Sequence, residues 1–175
     1  MSEIYGKVST NLDFVKREEE TRAFWEKEDI FGKSLKIREG APEFTFYDGP
    51  PTANGKPHIG HVLTRVIKDL IPRYQTMKGR HVLRKAGWDT HGLPVELEVE
   101  KKLGIDGKDQ IENYGLEPFI AHCKESVWKY KGMWEDFSAK VGFFVDMEHP
   151  YVTYTNDFIE SEWWALKQIF DRGLL

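Results

Sequence analysis

The 175-residue sequence predicts an α/β fold, a parallel sheet with flanking helices. Three observations predict it. Residues 43–47 form a β-type run that feeds a loop crowded with Gly and Pro. From Pro57 a long segment carries apolar residues at helical spacing. His81-Val82-Leu83-Arg84 then reads as a second strand. Strand, helix and strand at this spacing make a βαβ unit, for which parallel pairing and a right-handed crossover are expected.

In chain order, residues 11–31 read as a helix with Leu12, Val15, Phe24 and Trp25 among charges, Asn11 as N-cap and Gly32 as stop. Residues 33–43 read as a polar connection. The helix from about Pro57 to Lys78 carries a wide apolar stripe of Ile59, Val62, Leu63, Val66, Ile67, Leu70 and Ile71. Pro57 suits its first turn, Pro72 is expected to kink or split it, and Gly79 to end it. Gly87 to Pro94 is a loop at the carboxyl end of the second strand, where ligands of open α/β sheets bind. Helices are expected over Val95–Leu103 and Pro118–Lys140. Asp157 and Glu160 form a capping-box pair for a last helix to Arg172, ended by Gly173. The apolar ending Gly173-Leu174-Leu175 has the look of a cut.

Composition narrows the function classes. The length fits one domain or a large piece of something bigger, and a 40% apolar content suffices for a core. The net charge of −4 does not suggest a nucleic-acid binder, but its distribution is uneven. Between Asn54 and Ala86, eight cations (Lys56, Arg65, Lys68, Arg73, Lys78, Arg80, Arg84 and Lys85) face Asp69 alone. Such a patch is either an address for anionic ligands or a solvated basic face. Cys123 is the single cysteine, which excludes an internal disulfide framework and a cysteine-rich zinc site. No segment reads as a signal peptide, and no apolar run approaches the roughly 20 residues that span a membrane. The expectation is a cytoplasmic protein with no membrane partner.

Chemistry concentrates in Asp48-Gly-Pro-Pro-Thr-Ala-Asn-Gly-Lys-Pro-His-Ile-Gly-His61. Strand, tight loop and helix start suit phosphate binding, because free amides and the helix dipole meet there. A P-loop is excluded twice: five residues separate Gly49 from Gly55, and Pro57 follows Lys56 where a hydroxyl is needed. The dinucleotide fingerprint is absent from this turn. His58 and His61 share a helical face, but zincin histidines are four apart with an intervening Glu, so no metal site is assigned.

His58-Ile59-Gly60-His61 resembles the His-Ile-Gly-His signature of class I aminoacyl-tRNA synthetases. The flanking Tyr47-Asp48-Gly49-Pro50-Pro51-Thr52-Ala53-Asn54-Gly55 and Gly87-Trp88-Asp89-Thr90-His91-Gly92-Leu93-Pro94-Val95-Glu96 resemble the isoleucyl members in particular. Valyl members typically carry a Pro-Pro-Asn-Val-Thr-Gly loop and a Gly-Thr-Asp-His-Ala-Gly segment instead. Leucyl members share the Gly-Trp-Asp start but usually differ in the first loop. The resemblance implies the first half of a Rossmann-like (HUP-type) parallel sheet. It implies a helical extension over 1–42 and a truncated nucleotide-binding catalytic domain over 43–175, ending before the editing-domain insertion.

The implied reaction joins isoleucine to ATP, with Mg2+, and then transfers the acyl group to tRNA(Ile). The resemblance makes His58 and His61 catalytic. It places Asn54, His58, Gly60 and His61 at ATP, and Gly49, Pro50 and Asp89 at the amino acid, Asp89 receiving its ammonium group. Gly60 would let the nucleotide approach the helix without a Cβ in the way. Apart from the resemblance, Asp89 also reads as a turn cap before Gly92 and Pro94, Asn54 as part of an Asn-Gly turn, and Trp88 as either pocket wall or core. The second family signature, a Lys-Met-Ser-Lys-Ser type loop, does not occur in these 175 residues. Alone, they are expected to bind ATP weakly and to activate isoleucine poorly. The alternatives are a non-catalytic nucleotide- or tRNA-binding module of the same fold, and a valyl enzyme.

Overall fold

A computed structural model describes residues 10–49, 51 and 55–175. Pro50 and Asn54, assigned above to the amino acid and to ATP, lie outside the described residues.

The first expected helix is two. Helix α1 spans Phe14–Lys27 and α2 spans Ile30–Lys36. The N-cap of α1 is Asp13, whose carboxylate accepts from the Lys16 amide at 3.0 Å, and not Asn11. The chain turns at Asp29, which adopts a left-handed conformation (φ 45°) and caps α2 by accepting from the Gly32 amide at 3.1 Å. Gly32 is therefore not a stop. It lies in the first turn of α2, where a Cβ would overlap the Asp29 carboxylate.

Strands β1 (Phe46–Tyr47), β2 (Arg84–Trp88) and β3 (Asp146–Val152) form a parallel sheet in the order β1-β2-β3. Helix α3 (Ile59–Met77) joins β1 to β2. Helices α4 (Leu93–Leu103), α5 (Lys108–Tyr114), α6 (Leu116–Ser126) and α7 (Lys131–Lys140) join β2 to β3, and α8 (Asn156–Asp171) follows. The parallel β-α-β core is as expected. The second strand lies later than residues 81–84, because His81 makes only an isolated bridge to Glu43 and regular pairing begins at Arg84. Strand β3 is a further element, with polar residues and Pro150 inside it.

Helix α3 continues through Pro72 to Met77, so the proline does not split it. The expected helix over 118–140 breaks at Val127–Tyr130, a turn that brings Val127 and Trp134 into one core with Trp88 and Val95. A second cluster joins Ala86, Phe143 and Val145. Because β2 is central, Ala86, Gly87 and Trp88 are all buried. Helix α8 takes Thr155, not Asp157, as N-cap, with no side-chain capping bond, and Gly173 follows it in the left-handed region.

Helix α3 buries its charges and exposes its apolar residues, the reverse of an ordinary amphipathic helix. Ile59, Leu63, Val66, Ile67, Leu70 and Ile71 are all exposed. Arg65 is buried; Lys68 and Arg73 face inward to ion pairs with Asp48 and Asp69. Arg84, on β2, is also buried, and loss of hydration pulls its guanidinium down to about 10. Half of the basic patch therefore braces the interior, and Lys56, Lys78, Arg80 and Lys85 are its exposed members.

Candidate functional site

Parallel strands end at one edge, so the segments leaving β1, β2 and β3 meet there. Those segments begin at Asp48, Asp89 and Thr153. A backbone hydrogen bond from the Asp89 amide to the Pro51 carbonyl (3.2 Å) ties the first two together.

His58 and His61 cap α3 reciprocally. His58 is the N-cap, and its Nδ1 accepts from the Gly60 amide at 3.2 Å. The Nδ1 of His61 accepts from the His58 amide at 3.0 Å. Two otherwise orphan amides are thereby satisfied. The bonds also fix the tautomers: a ring whose Nδ1 accepts a proton carries its own on Nε2. Each neutral imidazole thus keeps one Nε2–H donor. The rings lie 3.7 Å apart between centroids. Burial, followed by the neighbouring His58 and Arg65, holds the His61 imidazole below its ordinary range and keeps it neutral. Gly60 has a local reason to be glycine, since a Cβ there would stand 3.0 Å from His58 Cε1 and 3.1 Å from its Nδ1.

Beneath the pair, Asp48 is 1% exposed and holds two cations from α3. Lys68 Nζ lies 2.7 Å from one carboxylate oxygen and Arg65 Nη1 3.5 Å from the other. The same lysine donates to the Gly49 carbonyl at 2.8 Å. The Arg65 guanidinium stacks 5.0 Å from Phe143 and 5.2 Å from Trp134. Trp134 donates its indole N–H to the Gly55 carbonyl at 2.7 Å and meets the His61 ring edge-on at 4.7 Å. From β3, the Tyr151 hydroxyl donates to the Asp48 carbonyl. Its ring fills the space beside Gly87, where a Cβ would overlap it.

The second loop is held differently. Thr153 Oγ1 accepts from the Thr90 amide at 3.0 Å, lies 3.1 Å from Thr90 Oγ1 and contacts His91 Nδ1 at 2.7 Å. Asp89 is half-buried, and its carboxylate makes no hydrogen bond or ion pair among the described residues. It is not a cap: Gly92 is the N-cap of α4, which has no side-chain capping bond. Asp89 is close enough to contribute to raising the Tyr151 hydroxyl, after burial and Asp48. Trp88 is core, 1% exposed, with its indole N–H unpartnered among the described residues.

Of the predicted site residues, the structure thus brings His58, Gly60 and His61 to one helix end and Gly49 and Asp89 to loops at the same sheet edge. Sequence reading missed Lys68, Arg65, Trp134, Tyr151 and Thr153. Arg65 and Lys68 had a local signal, standing four and seven residues after His61 and so on its helical face. Among the described residues no three His, Cys, Asp or Glu side chains cluster as metal ligands would. No helix there is long and apolar enough to cross a membrane. A cavity of about 790 Å3 between α4, α5 and α6 includes Cys123 but none of the candidate residues.

Two parallel crossovers, with a histidine-capped helix at the carboxyl edge of the sheet, define an open α/β protein of Rossmann-like class. Residues 20–175 match the family model "tRNA synthetases class I (I, L, M and V)", and the chain belongs to that family. It is 64% identical over 172 residues to the isoleucine–tRNA ligase of Clostridium tetani (strain Massachusetts / E88), covering 98% of this chain and 17% of the relative. Identity to the isoleucine–tRNA ligase of Clostridium novyi (strain NT) is 62%, with the same coverage. Isoleucine–tRNA ligase 2 of Bacillus cereus (strain ATCC 14579) is 57% identical over 97% of this chain and 16% of its own length. The chain therefore spans about a sixth of the length of these curated relatives. Among solved structures, a LeuRS of Agrobacterium radiobacter K84, in ternary complex with tRNA and LeuAMS, has a TM-score of 0.60. It is 20% identical over 94% of this chain and 19% of its own, a likeness that supports the Rossmann-like fold.

Proposed function

We propose that the chain is part of an isoleucine–tRNA ligase that activates isoleucine with ATP and passes it to tRNA(Ile) in the cytoplasm. The observation that carries the chemistry is the reciprocally capped histidine pair at the start of α3. Its two Nε2–H donors and the helix N-terminus suit the phosphates of ATP, whose Mg2+ enters with the substrate. Isoleucine's carboxylate attacks the α-phosphorus, pyrophosphate leaves, and charge builds on the phosphate oxygens. Donors fixed beforehand by backbone bonds stabilise that charge without reorganising. In this reading Asn54 and Gly60 also bind ATP. Gly49 and Pro50 line the amino-acid pocket, and Asp89, half-buried and with no cation paired to it among the described residues, takes the ammonium group. The isoleucine assignment is supported by the relatives at 57–64% identity.

The test is amino-acid-dependent ATP–pyrophosphate exchange by the full-length protein that contains this chain. Isoleucine should drive exchange well ahead of leucine and valine. His61→Ala should slow it by roughly 10²–10³, the cost of one preorganised donor. Exchange driven better by valine would replace the isoleucine assignment. No exchange with any amino acid would leave a binding module.

A further inference from the structure

We propose that Lys68 is a positioning residue for the amino-acid side of this site: its ammonium, anchored on Asp48, fixes the Gly49 carbonyl and thereby sets the loop that leaves β1. The inference rests on the reading above that Gly49 belongs to the amino-acid pocket.

Asp48 does not need Lys68 to balance its charge, because the buried Arg65 guanidinium already faces the other carboxylate oxygen. Nor does Lys68 need Asp48 for solvation, since a third of its side chain is exposed. What the lysine adds is a second bond from the same nitrogen, at 2.8 Å, to the carbonyl of the next residue. A lysine ammonium carries three donors, enough to serve a carboxylate and a carbonyl together. The Asp48 backbone is tied without the lysine: its amide donates to the Lys85 carbonyl across the sheet and its carbonyl accepts from Tyr151. Gly49 is exposed, and Lys68 Nζ is the sole described heavy atom within 4 Å of the position its Cβ would take, at 3.8 Å. Its carbonyl is thus held from α3 alone among the described hydrogen bonds. Because α3 carries His58 and His61 at its start and Lys68 further along, one rigid helix sets the loop relative to the histidines.

The test compares Lys68→Met and Lys68→Arg in the full-length protein. Lys68→Met should raise the KM for the amino acid about tenfold or more, as for loss of a charge-assisted hydrogen bond, while the KM for ATP stays within about twofold. Lys68→Arg, which can still donate to both oxygens, should restore most of the loss. Hydrogen exchange at the Asp89 amide, whose acceptor is the Pro51 carbonyl of this loop, should accelerate in Lys68→Met, with the thermal midpoint little changed because Arg65 remains. Unchanged exchange there, or equal rises in both KM values, overturns the positioning role. Asp89→Asn separates the two ideas. If it raises the amino-acid KM and Lys68→Met does not, the positioning role alone fails. If both leave it unmoved while exchange at the Asp89 amide accelerates, Lys68 sets the loop but the assignment of this pocket fails.

Discussion

Two loops leave the same edge of the sheet and are built from opposite materials. The β1–α3 loop is braced by buried charge: Asp48 between Arg65 and Lys68, with Trp134 and Tyr151 closing on its backbone. The β2–α4 loop is braced by neutral hydroxyls, Thr90 on Thr153, and enters its helix through Gly92 without a side-chain cap. The difference sorts the chemistry of the edge. In the first loop every buried charge is spent internally, and what it presents outward is two neutral imidazole donors, a helix end and the exposed Lys56. In the second, no described side chain pairs with Asp89, and the loop presents its carboxylate. One loop is suited to an anion, the other to a cation, and they are joined by the Asp89–Pro51 backbone bond.

If charge bracing is what holds the first loop, breaking it should be the costliest change. Asp48→Ala strands the Arg65 guanidinium, which is 3% exposed, without its carboxylate. Loss of one partner from a buried pair costs about 3–5 kcal/mol, measurable by denaturant unfolding. Adding Arg65→Met should recover part of it, since the stranded charge is then gone. A cost near that of a surface pair, below about 1 kcal/mol, would erase the contrast between the loops. Thr153→Val, in the second loop, removes the acceptor of the Thr90 amide and should cost about 1–3 kcal/mol, while Thr153→Ser should be close to neutral. A Thr153→Val loss as large as that of Asp48→Ala would show that the hydroxyls carry as much as the charges.

Most of this edge was legible in the sequence because its signals are local. Gly and Pro crowd the first loop, His58 and His61 stand three apart at a helix start, and Asp89 follows a strand. The supports were harder to see. Arg65 and Lys68 lie off the apolar stripe of α3 and, as part of a basic patch, read as an address for anions or a solvated face, yet the buried side is theirs and the stripe is exposed. Sequence periodicity gives the faces of a helix but not which one turns inward. Trp134 and Tyr151 come from elements more than seventy residues beyond the loop they hold, where no spacing rule reaches. Strand β3 was missed because its polar residues and Pro150 lack the pattern of a buried parallel strand; its pairing with β2 decides its structure.

The smallest expected effect concerns protons on the first loop. His61 binds a proton less readily in the folded protein than free histidine does, because of its burial and then the adjacent His58 and Arg65. In the unfolded chain it titrates near 6.5. Between that value and its lower folded value, the unfolded state binds more protons, so stability is full above about pH 6.5 and declines as pH falls through the folded midpoint. The same proton has a local consequence. Placed on Nδ1, it removes the acceptor for the His58 amide and opens the reciprocal cap. The acid limb of amino-acid activation should therefore have its midpoint below 6.5, as should the His61 ring signals followed by NMR. His58→Asn keeps an N-cap acceptor but removes the neighbouring imidazole. It should move the His61 midpoint upward without returning it fully to 6.5, because the burial that contributes most remains. A midpoint at or above 6.5 in the unaltered protein would mean that the two loops do not differ as described, the first presenting a cation to its ligand in place of neutral donors.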